Sequence, residues 1–138
     1  MIIPNLMVTD MCHSITFYRD ILGMTLTMAI SPQREMLSDN DGNGVAFAIL
    51  EWEDSQLMLQ TVASLSEELP VFDATQRPTP SGTIYFRGLN PTAVLDRVTE
   101  DQIVKGSVQQ WYGMRELYLR DPDGHIICLG APEGPAPT

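Results

Sequence analysis

Twice in this chain an apolar strand-like stretch runs into a helix-capping residue, and each time three further strand-like segments follow. No other feature constrains the fold as much. In the first copy, residues 2–8 are apolar and stop at Thr9-Asp10. The Asp10 carboxylate can accept from the free amides of the next turn. Met11, Ile15, Tyr18 and Leu22 then recur at i, i+4, i+7 and i+11, marking a buried helix face, and Gly23 stands where a left-handed C-cap is wanted. Residues 24–30 read as a strand and residues 31–44 as a long polar loop. Val45, Phe47 and Ile49 alternate along the next strand, Trp52-Glu53-Asp54-Ser55 makes a turn, and residues 56–62 return as a strand.

The second copy opens with a strand at residues 83–88. Asn90 caps a helix, Pro91 fits its first position, and Val94, Leu95 and Val98 form its buried face. Strands at residues 102–108, 114–120 and 125–130 complete it. Between the copies, residues 64–69 suggest a helical turn, and Arg77-Pro78-Thr79-Pro80 forbids central-strand pairing. One such unit buries little alone, whereas two can share a curved sheet. The expected fold class is therefore α+β: two βαβββ modules forming a cupped mixed sheet around a cleft. The modules span 1–62 and 81–131, with a connector at 63–80 and a disordered tail at 132–138. At 138 residues this is one structural domain.

Charge narrows the partners. Eighteen acidic against eight basic groups give a formal net charge of −10, and Lys105 is the sole lysine. Such a surface repels phosphate backbones, so nucleic acid is excluded as an expected partner, while a cationic ligand is attracted. No apolar run approaches the ~20 residues that cross a bilayer, and the first residues carry no basic leader, so no membrane association and a cytoplasmic location are expected. Cys12 and Cys128 are too few for a disulfide framework and are expected to remain reduced and unbonded.

Several motifs have a bland explanation. Asp39-Asn40-Asp41-Gly42-Asn43-Gly44 opens like a calcium loop, but Leu50 stands where the bidentate glutamate belongs. A polar turn accounts for it better. His13 beside Cys12 and His125 after Asp123-Gly124 are isolated imidazoles. Trp111-Tyr112-Gly113-Met114-Arg115-Glu116 is more informative: two aromatics at the mouth of a strand, then an arginine and a glutamate on opposite faces. Core packing with a solvated charge competes there with an aromatic cleft wall carrying a carboxylate.

Val8-Thr9-Asp10 leading to Phe17-Tyr18-Arg19-Asp20-Ile21-Leu22-Gly23, with Arg120-Asp121-Pro122-Asp123-Gly124-His125 at the matching distance, resembles the vicinal-oxygen-chelate superfamily of glyoxalases, extradiol dioxygenases and bleomycin-resistance proteins. The likeness covers nearly all of residues 2–131, and Tyr112-Gly113-Met114-Arg115-Glu116 looks most like the bleomycin-resistance branch. It implies paired modules, a homodimer, and a cleft in each cup. Metal-using members carry His and Glu ligands at positions that map here to Ile3, Met58, Thr83 and Cys128, a set without a usual ligand for a hard divalent ion. The implied function is therefore cofactor-free, metal-independent capture of a small molecule, a cationic aromatic antibiotic of the bleomycin type. The alternative is a glyoxalase-like lyase or dioxygenase with an unrecognised metal site. The candidate ligand-binding residues are Asn5, Met58, Gln60, Thr83, Tyr85, Trp111, Glu116 and Cys128.

Overall fold

A computed structural model describes residues 1–38 and 41–135, in two compact units, Met1–Pro78 and Thr79–Thr138. Asp39 and Asn40, which begin the calcium-like motif, and the last three residues of the tail lie outside the described residues.

In the first unit, β1 (Asn5–Val8) leads to helix α1 (Met11–Ile15), and β2 (Thr25–Ile30), β3 (Phe47–Trp52), β4 (Ser55–Thr61) and α2 (Val62–Glu68) follow. The four strands form one sheet in the order β1-β4-β3-β2, with β1 parallel to β4 and the other pairs antiparallel. Asp10 caps α1 as its sequence suggests, its Oδ1 accepting from the His13 amide at 3.1 Å. The helix does not remain α-helical. Residues Thr16–Ile21 widen into a π-helical turn in which the Leu22 amide reaches back to the Phe17 carbonyl at 3.2 Å. The extra residue in the turn lets Phe17 join Met11, Ile15, Tyr18 and Leu22 in the core. Phe17 and Tyr18 then pack edge to face, 5.0 Å between centroids. Gly23, at φ +82°, ends the helix in the left-handed region that a glycine enters without strain. Val8, Ala48, Leu50, Leu57 and Leu59 supply the buried sheet face.

The second unit contains β5 (Thr83–Arg87), β6 (Ile103–Gln109), β7 (Met114–Arg120) and β8 (Ile126–Pro132), ordered β5-β8-β7-β6 with β5 parallel to β8. It repeats the topology of the first, giving an α+β fold of two four-stranded mixed sheets and two repeated modules. The expected second helix is corrected by the structure. Asn90 does cap, accepting from the Thr92 amide at 3.0 Å, but only a 3₁₀ turn, Pro91–Ala93, follows. Val94 is buried, whereas Leu95 is 37% exposed. The β-branched residues Thr92, Val94, Val98 and Thr99 weaken propagation. Thr99 then starts a new turn, its amide donating to Gln102 Oε1 at 2.8 Å.

Two further expectations change. The connector helix is a full α2, started by the Thr61 hydroxyl accepting from the Ser64 amide. The tail expected to be disordered from residue 132 is ordered at its start: β8 runs through Pro132, and Glu133 holds the Gly113 carbonyl at 2.8 Å and Arg115 at 2.6 Å. The family-like turn at Asp121 is built locally. The buried carboxylate accepts from the amides of Asp123 and His125 at 2.9 and 2.8 Å, and Gly124 takes φ +86°.

A glycine contact gives the first testable consequence. A Cβ at Gly42, where φ is +108°, would sit 2.6 Å from the Cys12 Cα, against backbone that cannot rotate aside. Gly42→Ala should lower unfolding free energy by about 3 kcal/mol in urea titration, whereas Gly44→Ala, with open space around it, should lose about 1 kcal/mol.

Candidate functional site

Along the sheet of the second unit, side chains two residues apart share a face. Leu117, Leu119, Ile127, Leu129 and Phe86 occupy the hydrophobic face. Register places the other face: Tyr85 pairs with Cys128 and Cys128 with Tyr118, while Arg87 pairs with Gly130 and Gly130 with Glu116. The parity of β7 thus turns Glu116 inward with Tyr118. Arg115 points the other way, to Glu133 and the Ser107 hydroxyl.

Glu116 is 1% exposed, and the solvated-charge reading of it does not hold. Three phenols converge on its carboxylate. Tyr85 donates to Oε2 at 2.6 Å, and Tyr112 and Tyr118 donate to Oε1 at 2.5 and 3.2 Å. Tyr112 arrives from the turn before β7, where Gly113 takes φ +82° and the Gln110 amide reaches the Met114 carbonyl. Burial alone would raise the Glu116 pKa; hydrogen bonds from Tyr112, Tyr85, Tyr118 and Gln110 outweigh it and hold the carboxyl below its ordinary range. The phenols move the opposite way. Burial and then Glu116 push Tyr85 well above the usual phenol range, the bond to Glu116 pushes Tyr112 up to about 12, and burial and then Cys128 raise Tyr118. Burial also pushes the Cys128 thiol up to about 11, so it is a thiol and not a thiolate at neutral pH.

Gly130 makes the arrangement possible. A Cβ there would overlap the Tyr85 hydroxyl and lie 2.6 Å from its ring carbon Cζ. Two of the rings already face cations: the Arg87 guanidinium is 5.9 Å from the Tyr85 centroid and the Lys105 ammonium 5.8 Å from that of Tyr118. Trp111 is 81% exposed and meets Tyr112 edge-on, 5.2 Å between centroids.

Of the candidates read from sequence, Tyr85, Glu116 and Cys128 come together here. Thr83 lies on the same face but pairs with Ile126, one step outside the cluster. Tyr112, Tyr118, Gln110 and Gly130 are not among the candidate ligand-binding residues; the sequence marks Tyr112 only as one of two aromatics at the strand mouth, and the shared parity of Glu116 and Tyr118 is a second signal. In the first unit, Asn5 pairs with Met58, and its Nδ2 donates to Gln60 Oε1 at 2.9 Å. Gln60 is 5% exposed and donates to Ser64 and Glu68. Ile3 precedes β1.

These donors do not fit a divalent metal. Met58 offers a thioether, Thr83 an alcohol and Cys128 a protonated thiol, while both oxygens of Glu116 already accept from phenols. Among the described residues no three His, Cys, Asp or Glu side chains gather. Among the described residues, no helix is long and apolar enough to cross a membrane.

The cluster is testable through its protons. With folded phenol pKa values raised, the unfolded chain ionises first, so stability is fully present below about pH 10 and falls as pH rises toward about 12 and beyond. With the Glu116 pKa lowered, its contribution is present above the ordinary carboxyl range and lost on acidification through the folded value. In spectrophotometric titration, Glu116→Gln should bring Tyr112 back toward 10 and move Tyr85 and Tyr118 down by less, because burial still holds those two up. Gly130→Ala, which displaces the Tyr85 hydroxyl, should shift chiefly that phenol. An unaltered titration curve in Glu116→Gln would contradict the assignment.

Comparison with known proteins agrees with this architecture. A crystal structure of a glyoxalase/bleomycin resistance protein/dioxygenase from Nocardioides aligns with a TM-score of 0.68 at 19% identity, covering 100% of this chain and 87% of that one. A protein of unknown function from Agrobacterium tumefaciens aligns at 0.70 and 23%, covering 95% and 92%. A glyoxalase/bleomycin resistance protein/dioxygenase family enzyme from Burkholderia phytofirmans aligns at 0.66 and 14%, covering 94% and 95%. None of the curated proteins matches. Residues 3–129, which take in β1 to β7 and the first half of β8, match the family described as the Glyoxalase/Bleomycin resistance protein/Dioxygenase superfamily, and the chain belongs to this superfamily.

Proposed function

We propose that the chain is a metal-independent small-molecule binding protein that captures a cationic, planar aromatic guest, working as a cytoplasmic homodimer. One observation carries the reading: a buried, ionised carboxylate on one sheet face, ringed by three electron-rich phenols whose hydrogen bonds satisfy it without cancelling its charge. Glu116 belongs to none of the described ion pairs. A guest cation brought close therefore meets an uncompensated negative charge where water screens it weakly. The ring faces favour the same guest, since Tyr85 and Tyr118 already attract Arg87 and Lys105. Trp111, exposed beside Tyr112, offers a stacking surface at the turn, and the net charge of −10 steers cations inward.

The protonation states favour capture over turnover. A carboxylate held below its ordinary pKa is a weak base, phenols held above theirs are weak acids, and a thiol at about 11 is a poor nucleophile. The guest class includes antibiotics of the bleomycin type.

Calorimetric titration with bleomycin and a panel of cationic heterocycles tests this. Cations should bind tighter than neutral and anionic analogues. Trp111→Ala should cost about 2 kcal/mol, roughly thirtyfold in affinity. Salt should weaken the steering contribution while leaving the part due to buried Glu116. Tighter binding of anions, or stoichiometric zinc, nickel or iron surviving dialysis, would overturn the proposal. Light scattering should report a dimer at micromolar concentration.

A further inference from the structure

The first unit contains a cavity of about 420 Å³ that the aromatic-cation reading does not use. Its walls come from separate elements. Arg34 lies on the loop after β2, Phe47 opens β3, and Ser64, Glu67 and Glu68 belong to α2. Unlike charges line one space without pairing: among the described residues, neither Arg34 nor either glutamate forms an ion pair. Both walls are held in place. Arg34 adopts φ +66°, in the left-handed region, and its amide donates to the Ser31 carbonyl at 2.9 Å while the Glu35 amide reaches Ser31 Oγ at 3.1 Å. On the other side, the nearly buried Gln60 amide donates to Ser64 Oγ at 2.9 Å and Glu68 Oε2 at 3.0 Å, and its oxygen is fixed by Asn5. A glutamate anchored through a buried amide has lost much of its rotamer freedom before any guest arrives, which lowers the entropy cost of binding.

Opposite and unpaired charges across a small cavity, with the Arg34 backbone and the Glu68 carboxylate held in place, suit a guest that carries both signs. We propose that this cavity binds a free α-amino acid with a basic side chain. The guanidinium fork of Arg34 matches a carboxylate in two parallel hydrogen bonds. Glu67 and Glu68 take the ammonium groups, and two carboxylates against one guanidinium favour a guest with a second cation. Phe47, half-buried, contacts the aliphatic stem. The volume lies within the range of small-molecule sites.

Calorimetry on the full chain, with L-lysine, cadaverine and L-glutamate as probes, tests the assignment. Lysine should bind at least tenfold tighter than cadaverine, which lacks the carboxylate, and glutamate should give no heat. Arg34→Asn removes the charge while keeping a residue that tolerates positive φ. It should abolish the preference for lysine over cadaverine, and cadaverine, relieved of a like charge, should bind no more weakly than before. Glu67→Gln, exposed on α2, should weaken both amines about equally. No heat with millimolar lysine, equal affinity for lysine and cadaverine, or an Arg34→Asn variant that keeps its circular dichroism and its lysine affinity would each overturn the proposal.

Discussion

A carboxylate taken out of water must be satisfied where it lies, and Glu116 sets that condition for the second unit. An ion pair would meet it with one cation. This chain instead spends three tyrosine hydroxyls, drawn from β5, β7 and the turn before β7. Hydrogen bonds to a charged acceptor are roughly twice as strong as neutral ones, so the phenols compensate burial without cancelling the charge. The difference matters for binding. A carboxylate paired to arginine presents no net field, whereas one ringed by neutral donors still does. The tight turn at Gly113 and the small residue at position 130 both follow from that need to bring phenols to one point.

The two modules meet the same topology by different local means. In the first, a capped helix with a π-helical turn buries five large side chains over four strands. In the second, the 3₁₀ turn Pro91–Ala93 and Val94 pack against the sheet, while the turn Glu100–Gln102 buries no residue. The helical layer is thus thinner in the second unit, and the polar cluster lies on the opposite face of its sheet, away from the helical layer.

Much of this was legible in the sequence because it is local. Asp10, Gly23 and Asn90 each act on the backbone within a few residues, and alternation in β3 and β7 is read directly, whereas the cap at Thr61 was hidden inside a strand-like run. The extent of the second helix was not legible: Asn90-Pro91 signals a start, but its continuation depended on β-branched residues that a capping motif does not weigh. The π-helical turn escaped for a similar reason, since a period of 3.6 already accounts for Met11, Ile15, Tyr18 and Leu22 without Phe17. The site was half legible. Glu116, Tyr85 and Cys128 fall on strands whose parity can be counted, whereas Tyr112 joins them through a turn, and convergence of that kind has no sequence spacing to betray it. The part played by Asn5 and Gln60 was equally hidden, because a buried amide that braces a helix carboxylate reads in sequence as any polar residue on a strand.

The absence of a side chain at Gly130 ties two distant positions into one heritable choice. Tyrosine at 85 reaches across the strand only over a bare backbone, so a lineage that acquires any larger residue at 130 must give up the tyrosine or lose its contact. Among descendants of this fold, glycine at the second position with tyrosine at the first would mark chains that keep the buried charge. Their joint replacement would mark chains that have given up that charge on this sheet face.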